Sequence, residues 1–579
     1  MATQGDRMKN TKRKRIAPGY VYLAALAGLI VLVVGLVFVI KRYTPTKEHM
    51  SLEDYFKLTE ENESAVIING EFKKISDTED YVHAIYLNDA TYLQIDFLKK
   101  ELDDGYVFDS TDGVLRYVTD KDVVSASVHS PKYTIGKKRD AIETDVVVSQ
   151  DGTYFVNLDF VKKFTDLTYK HYGNPNRVVI ETAGFTIEKA SLKKDVPLRR
   201  FGGVKSKILK DASKGDKVGI LEDYGKWSYV ITDDGVLACV QNRKMEKTGK
   251  ETTKASLEER TYDHLQMDKK VVLGWHQVTS RAANSTVEKV LADSDLNVIS
   301  PTWFFLNDND GNIQSYASSD YVSYCHDRNV QVWGLVSNLE NKNVDTTSVL
   351  NVTSSRDNLV NSLISAAISY NLDGINVDME ALSASAKDGY IEFIRELSIK
   401  CEKNDIILSV DNYVPTSSTV FYNRSVQADY ADYVVIMAYD EHYSGSDEPG
   451  SVASIGFVEE GVKNTLKEVP ADQIILGMPF YARVWAVGEN QLSSKAYGMD
   501  EMEAYLEAND ATINWIDKVG QNYGEFTDGD ITYMAWIEDA KSLGKKLDVM
   551  KSNKLAGAAF WKLGFETKDI WSLIDKYTK

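Results

Sequence analysis

The chain has 579 residues, is 43 % apolar and 26 % charged, and carries a formal net charge of −19. A chain of this length predicts about three or four domains with sizeable apolar cores. The acidic balance argues against nucleic acid as a partner, because phosphate backbones bind basic surfaces. The three cysteines are too widely spaced for a disulfide framework or a metal site, and we interpret them as small apolar residues: Cys239, Cys325 and Cys401.

Residues 20–40 are an uncharged apolar run of 21 residues, and a membrane-spanning helix needs about 20. A signal-peptide core is shorter, about 7–15 residues, and ends at a small-residue cleavage site, which is not evident here. The run therefore predicts an uncleaved anchor at 19–42, with a buried core helix as the alternative. Residues 1–18 carry six basic side chains against one acidic one, more than follow the run. This predicts a single-pass cell-membrane protein with a cytoplasmic tail and residues 43–579 outside the cell.

Residues 43–64 are polar and predict a spacer. In the following region, 65–190, TYLQIDFLKKEL (Thr91–Leu102) is echoed by TYFVNLDFVKKF (Thr153–Phe164). The echo predicts a duplicated strand–helix–strand unit, hence a small α+β domain. It resembles the repeated domains of exported bacterial chains that are similar to the N-terminal domain of copper amine oxidases. The sequence here has no His or Cys cluster that indicates a metal, so we expect a spacing or binding role.

Residues 194–246 alternate short β-like runs with Lys-Gly-Asp and Asp-Asp-Gly turns. This order resembles bacterial SH3 domains, which often bind cell-wall peptide. The closing run reads Ala238-Cys239-Val240, where that family usually has Gly-Tyr-Val. Wall binding and a plain spacer role both stay open. A charged linker is predicted at 247–267.

From residue 268 to 579, eight apolar β-like runs alternate with helical stretches, which predicts an α/β fold of the (β/α)8 TIM-barrel type. The long gap between the seventh and eighth runs predicts an insertion that forms a small subdomain on the cleft wall. The predicted strands are Val271–Val278, Leu296–Phe305, Val330–Asn338, Leu372–Glu380, Ile406–Val414, Tyr433–Glu441, Ile474–Trp485 and Leu555–Leu563.

The fourth run contains DGINVDME, in which Asn376, Asp378 and Glu380 are two residues apart. In an extended strand these three side chains share one face, and their apolar neighbours point to the other. Burial of a carboxylate costs several kcal/mol unless it is paired or hydrogen-bonded. The pattern is therefore more typical of proton-transfer groups at the mouth of a barrel than of a solvated surface strand.

DGINVDME resembles the DGxDxDxE motif on the fourth strand of family-18 glycoside hydrolases, which include chitinases and bacterial peptidoglycan N-acetylglucosaminidases. MAYD (Met437–Asp440) resembles the Met-x-Tyr-Asp motif on their sixth strand, and GMPFYARVW (Gly477–Trp485) their seventh. Trp561 matches the tryptophan on their eighth strand, at the floor of a sugar subsite. The four matches occur in order and cover about residues 269–579.

The resemblance implies substrate-assisted, retaining hydrolysis without a metal or other cofactor. Glu380 would be the general acid and later the base. Asp378 would hold the N–H of the substrate's 2-acetamido group, whose carbonyl oxygen attacks the anomeric carbon, and Tyr439 would hydrogen-bond that oxygen. Asp373 would support the start of the strand. The residues expected to bind the polysaccharide are Asp440, Trp561, Asn376, Tyr481, Arg483, Trp303 and Asn412.

Asn376 departs from the family motif, which has aspartate there. An amide cannot share a proton with Asp378 but can donate a hydrogen bond to it, so we expect an active enzyme with a shifted pH profile. The amide is more typical of the cell-wall and spore-cortex branch, which favours peptidoglycan as the substrate. Chitin oligosaccharides and a non-catalytic carbohydrate-binding barrel are the alternatives. A metal-dependent hydrolase is disfavoured, because no pair of histidines has ligand spacing.

Overall fold

A computed structural model describes residues 18–76, 82–489 and 491–579. Residues 1–17 of the predicted basic tail lie outside the described residues. The chain divides into two compact units. One contains the residues up to Phe97 together with Gln150–Glu258, and the other contains Leu98–Ser149 together with Glu259–Lys579.

The helices before residue 259 are α1 (Pro18–Tyr43), α2 (Leu52–Phe56), α3 (Ile95–Glu101) and α4 (Leu158–Val161). The strands are β1 (Ala65–Ile68), β2 (Glu71–Lys73), β3 (Ala84–Leu87), β4 (Ala90–Gln94), β5 (Tyr106–Asp109), β6 (Val114–Val118), β7 (Val123–Ser127), β8 (Lys132–Ile135), β9 (Lys138–Ala141), β10 (Val147–Gln150), β11 (Thr153–Asn157), β12 (Leu167–Tyr172), β13 (Arg177–Thr182), β14 (Thr186–Leu192), β15 (Val196–Arg199), β16 (Ile208–Ala212), β17 (Lys217–Asp223), β18 (Trp227–Thr232), β19 (Leu237–Gln241) and β20 (Met245–Thr252).

From residue 259 the helices are α5 (Val287–Leu291), α6 (Ser319–His326), α7 (Thr346–Asn351), α8 (Thr353–Tyr370), α9 (Lys387–Glu402), α10 (Arg424–Tyr430), α11 (Ile455–Thr465), α12 (Met499–Ala508), α13 (Ala540–Ser552) and α14 (Ile570–Thr578). The strands are β21 (Val271–His276), β22 (Val298–Leu306), β23 (Ile313–Ser315), β24 (Gln331–Ser337), β25 (Gly374–Asp378), β26 (Ile407–Tyr413), β27 (Tyr433–Met437), β28 (Ile474–Pro479), β29 (Tyr481–Gly488), β30 (Gln491–Gly498), β31 (Thr512–Ile516), β32 (Gln521–Asp528), β33 (Ile531–Ile537) and β34 (Gly557–Trp561).

Helix α1 has 26 residues, and its side chains from Gly19 onward are exposed. The stretch Gly19–Tyr43 has a mean hydropathy of 3.1 and is long and apolar enough to cross a bilayer. A signal sequence near the N-terminus can also meet these criteria of length and hydropathy. The helix therefore establishes a candidate membrane span.

The first unit contains the four-stranded sheet β12-β13-β1-β2, the neighbouring strands β11-β4-β3, and a seven-stranded sheet ordered β16-β15-β19-β18-β17-β14-β20. The two copies of the sequence echo form equivalent elements, because β4 runs directly into α3 and β11 runs directly into α4. Strands β4 and β11 pair antiparallel, with Phe155 opposite Gln94. The region predicted to be SH3-like contains β15–β19, and a 3₁₀ turn at Asn242–Lys244 leads into β20.

The second unit is organised around a closed parallel barrel, in the order β21-β34-β28-β27-β26-β25-β24-β22 with β21 also paired to β22. All eight predicted barrel strands are present, so the predicted (β/α)8 fold is confirmed. Strand β28 ends at Pro479, and β29 begins the predicted insertion, a five-stranded antiparallel sheet ordered β30-β29-β33-β32-β31 with α12 against it. Large aromatic side chains fill the barrel: Trp333 stacks on Tyr433 with ring centroids 5.6 Å apart.

Residues 98–149 add an antiparallel sheet, β5-β6-β7-β8-β9, which contacts α9 of the barrel. Arg116 of β6 pairs with Asp357 at 2.6 Å and approaches Glu396 within 3.9 Å. Glu396 in turn accepts hydrogen bonds from the buried Arg356 at 2.9 and 3.2 Å. The contact thus combines a charge network with apolar packing, in which Val118 joins the core of the barrel.

Glu392 lies beside this network and is buried at a cost in free energy, because neither of its carboxylate oxygens has a hydrogen-bond partner among the described residues. Burial first, and the charge of Glu396 second, raise its pKa from 4.5 to about 7. The folded protein therefore holds this proton more tightly than the unfolded chain, and the stability that results is lost as pH rises from about 4.5 to about 7.

We expect Glu392→Gln to raise the melting temperature at pH 8 and to change it little at pH 4.5. Glu503→Gln, at an exposed position, is the control. A melting temperature of Glu392→Gln that falls by the same amount at both pH values, relative to this control, would contradict the prediction.

Candidate active site

The polar face of β25 points into the barrel, and its apolar face packs outward. Ile375 and Val377 are fully buried in the layer between strands and helices. Asn376 contacts side chains that lie inside the barrel, and Asp378 is the last residue of the strand. The alternation expected from the sequence therefore brings these two residues to the inner face.

Asn376 uses all of its hydrogen-bonding capacity within the barrel. Its Oδ1 accepts hydrogen bonds from Trp275 Nε1 at 2.9 Å and Ser300 Oγ at 3.0 Å. Its Nδ2 donates to Ser409 Oγ at 3.0 Å and to Asp411 Oδ1 at 2.7 Å. An amide nitrogen has two donor hydrogens and an amide oxygen has two acceptor sites, so none is left for a further partner. Asn376 is also fully buried, and the prediction that it binds the polysaccharide is therefore wrong.

The expectation that Asn376 donates a hydrogen bond to Asp378 is therefore wrong. The Oδ1 atom of Asp378 is enclosed and has no hydrogen-bond partner within the described ranges. Burial raises the pKa of Asp378 well above its usual value, and the charges of Asp411, Glu380 and Glu340 raise it further. The hydrogen-bonding capacity of this buried oxygen is therefore unused within the described ranges.

Glu380 lies just past the end of β25, and its backbone is clamped by Asn338. The Glu380 N–H donates to Asn338 Oδ1 at 2.8 Å, and Asn338 Nδ2 donates to the Glu380 carbonyl oxygen at 2.9 Å. On the side chain, Tyr413 OH donates to Glu380 Oε2 at 2.8 Å. Burial raises the pKa of Glu380, as do the charges of Asp440 and Glu340, while the Tyr413 hydrogen bond lowers it. A carboxyl group with a raised pKa is suited to donate a proton near neutral pH.

Asp411 is a third carboxyl in the same cluster. It lies on β26, is 2 % exposed, and its pKa is raised to about 8, mainly by burial and further by the charge of Glu380. The hydrogen bonds with Asn376 and Trp275 act in the opposite direction. The sequence analysis did not identify this residue.

Aromatic rings surround the carboxyl groups. The ring centroid of Trp275 lies 6.4 Å from that of Tyr439 and 6.1 Å from that of Trp561. Burial raises the pKa of the Tyr439 hydroxyl, and the charge of Asp378 raises it further, so this hydroxyl stays protonated and able to donate. Tyr439 and Trp561 were predicted for this site, and the barrel places both beside Trp275, whose Nε1 donates to Asn376.

Asp440 and Tyr481 form a second polar contact at the mouth, where the Tyr481 hydroxyl donates to Asp440 Oδ1. Tyr481 and Arg483 belong to β29 of the insertion rather than to a barrel strand. Arg483 Nη1 donates to Ser494 Oγ at 3.0 Å within the same sheet.

Two residues predicted to bind substrate lie elsewhere, and these predictions are wrong. Trp303 is fully buried on the outside of the barrel, where its Nε1 donates to Asn284 Oδ1 at 2.8 Å. Asn412 is 1 % exposed and donates to Gln427 Oε1 at 2.7 Å, towards α10. Neither side chain faces the space beside Asp378.

Asp373 lies before the first residue of β25, at the end of the strand opposite the carboxyl cluster. Its Oδ2 accepts hydrogen bonds from the Val332 backbone N–H at 2.7 Å and makes a 2.8 Å contact with His326 Nε2. These contacts fit the predicted role of supporting the start of the strand.

The histidines of the barrel have structural partners. His276 Nδ1 lies 2.8 Å from Tyr321 OH, and its Nε2 lies 2.9 Å from Thr286 Oγ1. His442 Nδ1 lies 2.9 Å from the Ser451 carbonyl oxygen. Within the described residues 18–76, 82–489 and 491–579, no group of His, Cys, Asp and Glu side chains is arranged to hold a metal ion.

The Tyr413 hydroxyl gives a direct test of the Glu380 environment. Its hydrogen bond stabilises the ionised form of Glu380, so its loss raises the pKa of that carboxyl group. We expect Tyr413→Phe to move the alkaline limb of the pH profile of kcat/KM to higher pH, because the acid stays protonated longer. Tyr422→Phe is a matched control, since the Tyr422 hydroxyl contacts backbone atoms of Met379 and Leu382. An alkaline limb that moves to lower pH in Tyr413→Phe would contradict this assignment.

The (β/α)8 barrel supports many unrelated activities, so the class of protein is decided by comparison with known families. Residues 248–566, more than half of the chain, match the profile of the Glycosyl hydrolases family 18. The chain belongs to this family.

Two relatives of the chain come from Bacillus subtilis strain 168. The chain is 26 % identical over 298 residues to the uncharacterized glycosylase YvbX, covering 49 % of this chain and 85 % of that protein. It is 26 % identical over 264 residues to a cortical fragment-lytic enzyme, covering 44 % of this chain and 61 % of that protein. The chain therefore spans less than two thirds of the length of the latter relative.

The spore cortex-lytic enzyme SleL from Bacillus cereus is a similar solved structure. It aligns with a TM-score of 0.49 at 19 % identity and covers 57 % of this chain and 79 % of that chain.

Proposed function

We propose that this protein is a membrane-anchored, extracytoplasmic glycosidase that cleaves β-1,4 bonds after N-acetylglucosamine in peptidoglycan, with retention of configuration. One observation carries the chemistry: the enclosed, unpartnered Oδ1 of Asp378 lies beside the raised-pKa acid Glu380. Such an acceptor suits the N–H of a 2-acetamido group. The relative named a cortical fragment-lytic enzyme supports a cell-wall substrate.

In the first step, Glu380 donates its proton to the glycosidic oxygen as the bond to the anomeric carbon breaks. The carbonyl oxygen of the substrate's own acetamido group attacks that carbon, while its N–H donates to Asp378 and the carbonyl accepts from the Tyr439 hydroxyl. In the second step, the Glu380 carboxylate removes a proton from water, which attacks the same carbon and opens the cyclic intermediate. Two inversions restore the original configuration.

The remaining site residues bind the sugar. Trp561 offers a ring face to the apolar face of a pyranose. Asp440, held by Tyr481, is an acceptor for sugar hydroxyls, and Arg483 of the insertion is assigned a further contact with the polysaccharide. Asn376 contributes by fixing the network beneath Asp378.

The anchor is the helix α1, and its orientation rests on the basic residues that precede it. With the N-terminus in the cytoplasm, residues 43–579 lie outside the membrane. We assign 65–97 together with 150–190 as a repeat domain of the copper amine oxidase N-terminal type, because residues 98–149 of the predicted domain belong to the unit of the barrel. We assign 194–246 as an SH3-like module that binds wall peptide or acts as a spacer. The predicted spacer 43–64 contains α2 with a buried Phe56, and the predicted linker 247–267 begins within β20, so both are shorter than predicted.

The test uses the full-length chain in detergent on purified peptidoglycan and, separately, on chito-oligosaccharides, which carry the same acetamido group and are the second candidate. Muropeptides with new reducing N-acetylglucosamine ends, identified by borohydride reduction and mass spectrometry, are the expected products. Products from the chito-oligosaccharides alone would reject peptidoglycan as the substrate. New reducing N-acetylmuramic acid ends would reject the predicted bond.

A further inference from the structure

The chain that leaves α1 is hydrogen-bonded to the SH3-like module. Thr46 lies three residues after Tyr43, the last residue of α1. Its backbone N–H donates to the Val204 carbonyl oxygen at 2.8 Å. Three residues of extended chain span at most about 11 Å. Residues 200–207, the loop between β15 and β16, therefore lie close to the end of the candidate membrane span.

Arg199 fixes this 200–207 loop to the residues that follow the helix. Its buried guanidinium donates to the Ser206 carbonyl oxygen at 2.6 Å and to the Thr46 carbonyl oxygen at 3.0 Å. Within the loop, the Phe201 N–H donates to Ser206 Oγ at 2.8 Å, and the Gly203 N–H donates to the Phe201 carbonyl oxygen at 2.8 Å. The loop is therefore ordered by its own hydrogen bonds and tied to the chain just beyond α1.

The surface formed by this loop and the end of α1 is basic and carries an exposed aromatic ring. Phe201 is 62 % exposed, and the Arg200 guanidinium lies 4.9 Å from the centroid of its ring. Lys207 pairs with Glu48 at 2.6 Å. The other basic side chains of this surface are exposed, although the chain as a whole has a net charge of −19: Lys41, Arg42, Lys47, Arg200 and Lys205. An aromatic ring among cations suits the headgroup layer of a membrane, where cations meet anionic lipids and rings meet the acyl chains.

We propose, on the basis of the membrane anchor in the proposed function, that the 200–207 loop docks on the outer surface of the same membrane. Phe201 enters the headgroup layer, and Arg200 and Lys205 contact anionic phospholipid headgroups. The short chain to α1 keeps the loop at a high effective concentration beside the bilayer, so a small number of contacts is enough. The SH3-like module is thereby held at the membrane surface.

The experiment measures how fast individual lysines of the full-length protein are acetylated in lipid nanodiscs, with peptide mass spectrometry as the readout. It compares discs of phosphatidylcholine with discs of equal parts phosphatidylcholine and phosphatidylglycerol. We expect Lys205 to react about fivefold more slowly in the anionic discs, because lipid contact shields its amine and the negative surface favours its charged form. Lys214 is exposed beyond the opposite end of β16 and is the control within the same sample. Its rate is expected to change less than about twofold, because the surface potential falls off within a Debye length.

Two variants of the exposed ring separate docking from a general attraction of cations to the disc. Phe201→Ser keeps every charge and is expected to return the Lys205 rate at least half way to its value in phosphatidylcholine discs. Phe201→Tyr keeps a ring that suits the interface and is the matched control, which is expected to retain the slow rate.

Equal Lys205 rates in the two kinds of disc, or the same slowing at Lys214, would overturn the proposal. Protection of Lys205 by a soluble peptidoglycan stem peptide, without protection by anionic lipid, would assign this surface to the wall and would also overturn it. If discs of neither composition retain the chain, the anchor of the proposed function fails and the docking fails with it. A retained chain whose Lys205 rate does not change contradicts the docking alone and leaves the anchor and the glycosidase activity standing.

Discussion

Replacing Glu380 with glutamine is expected to lower kcat about 10³-fold, with little change in KM. Glutamine keeps the shape and the backbone clamp from Asn338 but has no proton to give to the leaving oxygen and cannot act as the base for water. Steady-state kinetics on the substrate that the wild type cleaves measure this effect.

Glu340→Gln is the matched control for that experiment. Glu340 is an exposed carboxyl group whose charge raises the pKa of Glu380. Its replacement is expected to move the alkaline limb of the pH profile slightly to lower pH. The value of kcat at the optimum pH is expected to stay the same. A Glu380→Gln variant that retains a tenth or more of the wild-type kcat would show that another group is the acid.

Asp378→Asn is expected to lower kcat about 10²-fold, because the acetamido N–H loses its charged acceptor in the transition state. The same change removes a carboxyl group whose negative charge repels that of Glu380. The pKa of Glu380 therefore falls, and the alkaline limb moves to lower pH. Folding is checked by the melting temperature.

A loss that appeared only in KM would contradict this role, since it would mean that Asp378 binds ground state and transition state equally. Asp373→Asn separates strand support from chemistry, because Asp373 lies at the other end of β25. It is expected to reduce the melting temperature and to leave the pH profile in place.

The barrel could be predicted from the sequence because its strands are buried on both sides and read as continuous apolar runs. The seventh predicted strand, Ile474–Trp485, is wrong at its C-terminal end. The structure divides it after Pro479 into β28 and β29, which belong to different sheets. Both strands are apolar and nearly contiguous, so periodicity alone could not place the boundary.

The errors in the site have one physical cause, the two-residue period of a strand. Trp303 and Asn412 were assigned to the cleft because they lie near strand ends. Each is three residues after a serine that contacts Asn376 inside the barrel, Ser300 and Ser409 respectively, and so faces the other side. In β22 the register also shifts between Thr302 and Phe304.

Asp411 and Tyr413 share the parity of Ser409, so the alternation of β26 could have identified them once one inward residue was known. The two hydrogen bonds between Asn338 and the Glu380 backbone could not be predicted from the alternation of a strand, because they depend on how the ends of two neighbouring strands meet. The saturation of Asn376 likewise depends on four side chains from different strands.

The central claim is that the substrate's own acetamido group is the nucleophile, held by Asp378. The most direct measurement compares cleavage of the same glycan before and after chemical removal of its N-acetyl groups. Substrate assistance predicts that wild type cuts the N-acetylated glycan and fails on the de-N-acetylated one, even when the latter still binds. Comparable rates on both glycans would contradict the account, because they would require a nucleophile supplied by the protein.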